Sequence, residues 1–130
     1  MRASDISRYV RDSAMGDPEF ARLMRYFTGT IKIGVGDDDA AFHFADGALT
    51  ADESVPADDE SEILARGTHE HWDRMLEGHP IPFYQCLQTT SIRHGLYLNN
   101  TSELYAYLPA LNRLTSLLRA ESVRTEGAVL

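Results

Sequence analysis

Apolar and small or polar residues alternate in two runs in the first half of the chain. Ile31, Ile33 and Val35 alternate with Lys32, Gly34 and Gly36. After Asp37 to Asp39 the rhythm resumes as Ala40, Phe42 and Phe44 against Ala41, His43 and Ala45. A period of two is that of a strand, whose successive side chains leave on opposite faces. Ile31 to Leu49 therefore predicts a β-hairpin with one row of large apolar groups and one unusually thin row. The first row needs a cover, and the second leaves room for another chain or a ligand to approach. Asp46-Gly47 predicts a turn, and Ala48 to Thr50 a further short strand.

Elsewhere the period is that of a helix. Ile6, Tyr9 and Val10 share a face in a first helix that Gly16 ends. Asp17-Pro18-Glu19 then starts a second cleanly, because Asp caps well and Pro at the first helical position loses no needed N–H. Phe20, Leu23, Met24 and Phe27 form its stripe. The polar stretch Ala51 to Asp59, with Pro56, reads as an exposed loop, and Glu62 to Gly67 as a strand. Thr68 caps a third helix in which Trp72, Met75 and Leu76 face one way, with Gly78, Pro80 and Pro82 at its end. Ile92, His94, Leu96 and Leu98 against Arg93, Gly95 and Tyr97 predict the last strand. Ser102 to Ala120 is helical by period, through Leu104, Tyr107, Leu108, Leu111, Leu114 and Leu118. Pro109 lies inside it at a cost of roughly 3 kcal/mol, and where that cost wins the helix starts at Pro109. Glu121 to Leu130 has no periodicity and is expected to be a mobile tail beyond a single domain of residues 1–120. The pattern is that of an α+β two-layer domain, a four- to five-stranded sheet covered on one face by amphipathic helices.

Composition narrows the class. A chain of 130 residues, 43% hydrophobic and 25% charged, is long enough for one real core. No apolar run approaches the ~20 residues of a membrane span and the start carries no signal-peptide pattern, so a cytoplasmic protein is expected. The single cysteine, Cys86, leaves no internal disulfide and no cysteine metal cluster. The net charge of -8 is unevenly spread: ten of the twenty acids lie between Asp37 and Glu62, a stretch without Lys or Arg. That distribution argues against nucleic acid, which needs clustered bases on one face. The acidic stretch reads as a solvated loop, or more sharply as a docking patch for a basic partner. Its consecutive aspartates lack the spacing of a calcium loop.

The histidines are the obvious chemical candidates. His69 and His71 diverge on a helix start and cannot share one metal, and His79 sits in a loop. His43 falls on the thin row of the hairpin, while His94 falls among Ile92, Leu96 and Leu98, as a polar group inside a pocket or a hydrogen-bonded core residue. There is no serine nucleophile elbow, phosphate loop or metalloprotease spacing, and Cys86 reads as packing. No metal site and no cofactor is implied.

Several local features, taken in order, resemble the sterol-carrier-protein 2-like (SCP2-like) family. They are Phe27-Thr28-Gly29-Thr30-Ile31 entering the first strand, Val35-Gly36-Asp37 at its end and Phe44-Ala45-Asp46-Gly47 closing the second. His71 to Gly78 and the late Gly95-Leu96-Tyr97-Leu98 complete the set. The resemblance covers about residues 17–120. It implies a sheet-and-helix shell around an apolar tunnel for fatty acyl chains, sterols or similar ligands, usually without catalysis. Two features depart from the family: Asn99-Asn100 stands where Gly-Asp is usual, and Ala128-Val129-Leu130 is not a peroxisomal address.

Two functional readings follow. The first is a non-catalytic carrier or binding module for an apolar small molecule or lipid, working as a homodimer or with an enzyme chain. Its lining would come from Phe20, Met24, Phe27, Trp72, Met75, Phe83, Tyr84, His94, Leu108 and Leu111, with Tyr84 and His94 meeting the ligand's polar end. The second is a small α+β enzyme in the style of ketosteroid isomerases, using Tyr84, His94 or Asp73 as acid-base groups beside an apolar pocket. Convergence separates them, since an enzyme needs two titratable groups meeting in one pocket and a carrier only apolar walls with a polar anchor.

Overall fold

The alternating residues do form the centre of a sheet. In the computed structural model, which describes residues 1–129, strands β1 (Gly29–Val35) and β2 (Asp38–Ala45) pair antiparallel, Ile31 opposite Phe42 and Ile33 opposite Ala40. The short β3 (Ala48–Leu49) extends the β2 edge. On the other side β4 (Ile63–Gly67) runs parallel to β1, and β5 (Tyr97–Leu98) pairs antiparallel with β4, giving the order β3-β2-β1-β4-β5. Helices α1 (Ala3–Asp12), α2 (Pro18–Met24), α3 (His69–Met75), α4 (Leu87–His94), α5 (Ser102–Ala106) and α6 (Leu108–Val129) complete the α+β fold.

One core unites the sheet's inner row, Ile31, Ile33, Val35, Phe42, Phe44, Ile63 and Ala65, with Ile6, Phe20, Met24, Trp72, Met75, Leu111 and Leu118 from the helices. Local signals place those helices as expected. Asp17 accepts from the Phe20 N–H with Pro18 in the first turn of α2, and Thr68 caps α3 by accepting from His71 N–H. Arg113 on α6 grips both oxygens of Asp17 at 2.8 and 3.0 Å, tying α6 to the start of α2.

Four expectations need correction. Ile92 to Asn99 is not a strand: its first half is the end of α4, and only Tyr97 and Leu98 pair with the sheet. Gly95 is the reason, adopting φ +80 as the left-handed residue that closes α4 by donating to the Ser91 and Thr90 carbonyls. The 102–120 helix divides into α5 and α6 at Tyr107, so the cost of Pro109 inside a helix prevails and the proline sits in the first turn of α6. From Glu121 onward α6 continues to Val129, so the aperiodic segment is helical rather than an irregular tail; Leu130 lies outside the described residues.

The fourth correction concerns the thin row. The crossover from β3 to β4, residues 50–62, folds back over this outer face as a strap. Lys32, only 4% exposed, donates to the Pro56 carbonyl at 2.6 Å and lies 2.7 Å from Asp58. Arg66 bridges Asp39 and Asp58, and His43 joins Thr30 at 3.0 Å to the Ser54 carbonyl at 2.6 Å. Gly34 is thin because Arg66 lies across it: a Cβ there would fall 2.6 Å from the guanidinium. The chain's own strap fills the room, and Asp39, Glu53, Asp58 and Glu62 of the acidic stretch are bound internally.

Candidate functional site

The inner layer between helices and sheet gathers most of the residues that the sequence nominates. Phe20, Met24, Phe27, Trp72, Met75, Tyr84 and Leu111 are buried in the single core, and Leu108 packs half-buried against it. Phe27 sits edge-on to Phe44 at 5.8 Å and to Tyr107 at 4.8 Å, so the α2 end of the layer is aromatic. Trp72 donates its indole N–H to the Gly34 carbonyl at 2.8 Å, which anchors α3 to β1 and satisfies the only polar atom of that side chain.

Two nominated residues lie elsewhere. Phe83 is 41% exposed in the loop before α4, with the Arg93 guanidinium 4.3 Å from its ring centre. His94 is half-buried at the last position of α4, not in a strand row, because the helix carries it there. It still meets Tyr84: their rings stack at 3.9 Å and 11°. Behind them His71 accepts from the Thr68 N–H on Nδ1, and its Nε2–H donates to the His94 carbonyl at 2.6 Å. Those two partners fix a neutral tautomer, since one ring nitrogen must accept and the other donate. Asp73 does not join them; it is exposed and 3.3 Å from the N-terminal amine.

Two polar atoms in the helical layer were not among the sequence candidates. Gln88 Oε1 in the first turn of α4 and Asn112 Oδ1 on α6 are sealed from solvent and find no hydrogen-bond donor. Buried acceptors are nearly always paired, so two orphans on neighbouring helices stand out. A signal for Asn112 was present: it follows Leu108 by four residues, on the same flank of the helix. About two turns further along, Arg119 donates to the Met75 and Gln85 carbonyls at 2.8 and 3.0 Å, joining α6 to the end of α3 and the loop before α4.

A surface cleft of about 340 Å³ between α1 and α6 is different in kind, its walls mixing Met1 and Tyr9 with Asp5, Arg8, Asp12, Glu121 and Glu126. Burial, with Glu121 and Asp17 nearby, raises the Tyr9 phenol above its ordinary pKa. No helix of the described residues is long and apolar enough to cross a membrane.

No protein-family profile matches the sequence, and no curated protein sequence matches it. The fold does have counterparts among solved structures. A crystal structure of sterol carrier protein 2 superimposes with a TM-score of 0.60 at 18% identity, over 90% of this chain and 92% of that one. A conserved hypothetical protein of Thermus thermophilus, described as possibly a sterol carrier protein, gives 0.61 at 17% identity, over 90% and 85%. The chain therefore has an SCP2-like fold.

Proposed function

We propose that this chain is a carrier or sheltering module for an apolar small molecule, a fatty acyl chain, a sterol or a similar lipid, held between the helices and the inner face of the sheet. The observation that carries the reading is the pair of donorless acceptors, Gln88 Oε1 and Asn112 Oδ1, on the two helices that bring Leu87, Leu111 and Leu114 into the core. A guest bearing one hydroxyl would satisfy such an atom at the moment it fills the layer, and an apolar guest without one would not. The SCP2-like fold supports the same reading, since a structural neighbour is a sterol carrier protein.

Side chains close the layer, so a guest enters by repacking. Met24 and Met75 are suited to that, because an unbranched, flexible thioether side chain rearranges at small cost. The nominated lining, Phe20, Met24, Phe27, Trp72, Met75, Tyr84, Leu108 and Leu111, would be its walls, with Phe83 and His94 nearer the surface. We further propose that the chain acts as a homodimer or beside an enzyme chain. Native mass spectrometry tests both points. The expected spectrum shows one apolar adduct for each 14.6 kDa chain after incubation with fatty acid or sterol, and a dimer mass series. A spectrum of bare monomer under all these conditions overturns both.

A further inference from the structure

Arg11, Lys32, Arg66, Arg74 and Arg113 are sheltered at least in part, and each lies against a carboxylate. Arg119 is sheltered too, but among the described residues it meets none. Its Nε donates to the Met75 carbonyl and its Nη2 to the Gln85 carbonyl, neither of which balances a charge. Nη1 makes no hydrogen bond to the described residues, and burial lowers the pKa of the group. A half-buried cation without a counter-ion is costly until an anion completes it.

The same side of α6 holds a second incomplete group. Leu108, Asn112, Thr115 and Arg119 recur at helical spacing and so share one flank, along which the loop before α4 and α4 itself pack. Arg113 is on the other flank, tied to Asp17 of the α2 cap. Thr115 returns its hydroxyl to the Leu111 carbonyl, so the flank is left with one acceptor lacking a donor, Asn112 Oδ1, and one cation lacking an anion. Seven residues of helix separate them by about 10 Å.

We propose that the guest is a long-chain hydroxy acid, its carboxylate received by Arg119 and its hydroxyl, about 10 Å along the chain, donated to Asn112 Oδ1. The proposal rests on the carrier reading and names the class of lipid that this reading leaves open. One guanidinium balances one negative charge, so a carboxylate fits where a phosphate monoester, with close to two charges, would leave the surplus half-buried. The two carbonyl bonds hold Arg119 in place before the guest arrives, and little freedom is lost on binding. Depth agrees with this order. Arg119 is half-buried and meets a headgroup at the rim, whereas Asn112 Oδ1 is sealed from solvent and waits for a donor carried in on the chain. A plain fatty acid completes only the first group, and a sterol only the second.

Displacement of a fluorescent fatty-acyl probe tests it. Mid-chain hydroxystearic acid is compared with stearic acid, which lacks the hydroxyl, and with methyl hydroxystearate, which lacks the charge. On the parent protein the hydroxy acid should bind about fivefold more tightly than stearate and about tenfold more tightly than the ester. Arg119→Gln keeps hydrogen-bond donors and removes the charge, so it should abolish the preference for acid over ester. Asn112→Leu should abolish the preference for hydroxystearate over stearate. Each loss is confined to its own preference, which a general loosening of the core would not produce, and the parent comparisons stand without any variant. Indifference of the parent protein to the charge or to the hydroxyl overturns the proposal while the carrier reading stands. Either preference surviving in its folded variant, or a bound probe that none of the three lipids displaces, does the same. A probe that does not bind at all overturns the carrier reading and the proposal with it.

Discussion

The two faces of the sheet are held by different physics. On the inner face Ile31, Phe42, Ile63 and Trp72 are buried in a layer whose attraction has no direction. On the outer face Lys32, Arg66, Asp39, Asp58, His43 and Thr30 interlock with the strap over residues 50–62, each bond needing one partner in one place. Apolar contacts can be exchanged for other apolar contacts, but Lys32 cannot leave Asp58 and the Pro56 carbonyl without burying an unpaired charge. A domain built this way can exchange contacts at low cost on its helical side and not on its strap side.

The contrast is broken most severely at the inner face. Trp72→Ala removes a fully buried side chain and its bond to Gly34, and should cost about 3–5 kcal/mol in denaturant unfolding. An unchanged midpoint would place the indole outside the core. On the outer face Lys32→Ala should cost about 2 kcal/mol, mostly from acceptors left without their donor. Lys32→Met should recover part of this, because the buried aliphatic stem is kept. Equal losses in both variants would mean that the charge, not the stem, carries the strap.

Asp58→Asn should be milder, at about 1 kcal/mol or less, because the carboxylate is half exposed and solvent screens it. Its hydrogen bonds to Arg66 and then Lys32 hold the Asp58 pKa at about 2, against about 3.9 for a free carboxylate. A lowered folded-state pKa means that protons favour the unfolded chain. The contribution is complete above about pH 4 and disappears as the pH falls toward about 2. Asp17, also held at about 2 by Arg113, adds a second loss in the same window from the helical side. Thermal midpoints between about pH 5 and pH 2 should therefore fall less steeply in Asp58→Asn but keep the Asp17 slope. A parallel curve would exclude the strap from acid sensitivity. Smallest of all, Phe83→Gly should change stability by at most about 1 kcal/mol and in the favourable direction, relief of the φ +72 backbone outweighing added chain entropy.

Strong periodicity made the inner face legible. The hairpin, the Asp17-Pro18 start and the Thr68 cap stand where their residues predict them, because each depends on neighbours within a few positions. The α4 region misled because Ile92, His94, Leu96 and Leu98 alternate across the end of a helix, and the decisive residue, Gly95, can serve a strand or a helix stop. The Asn99-Asn100 departure is likewise explained only in space. Asn99 accepts from Leu64 N–H and donates to the Ser61 and Glu62 carbonyls, while Asn100 takes φ +51 and Thr101 caps α5. The strap was invisible for a similar reason: Lys32 and Asp58 lie 26 positions apart, and no local pattern shows that they meet. Core residues on regular stripes are legible in the sequence, whereas the buried oxygens of Gln88 and Asn112 are not, because a polar residue beside a stripe resembles a solvent-facing one.

The central claim is that the inner layer receives an apolar guest, and titration with a fluorescent fatty-acyl or sterol probe tests it most directly. The account predicts saturable binding, weakened about tenfold or more when Leu111→Trp fills the layer with bulk that resists repacking. Asn112→Leu should weaken the hydroxyl-bearing sterol more than a guest without a hydroxyl. Absence of binding to any apolar probe by the folded protein, or binding indifferent to Leu111→Trp, would contradict it.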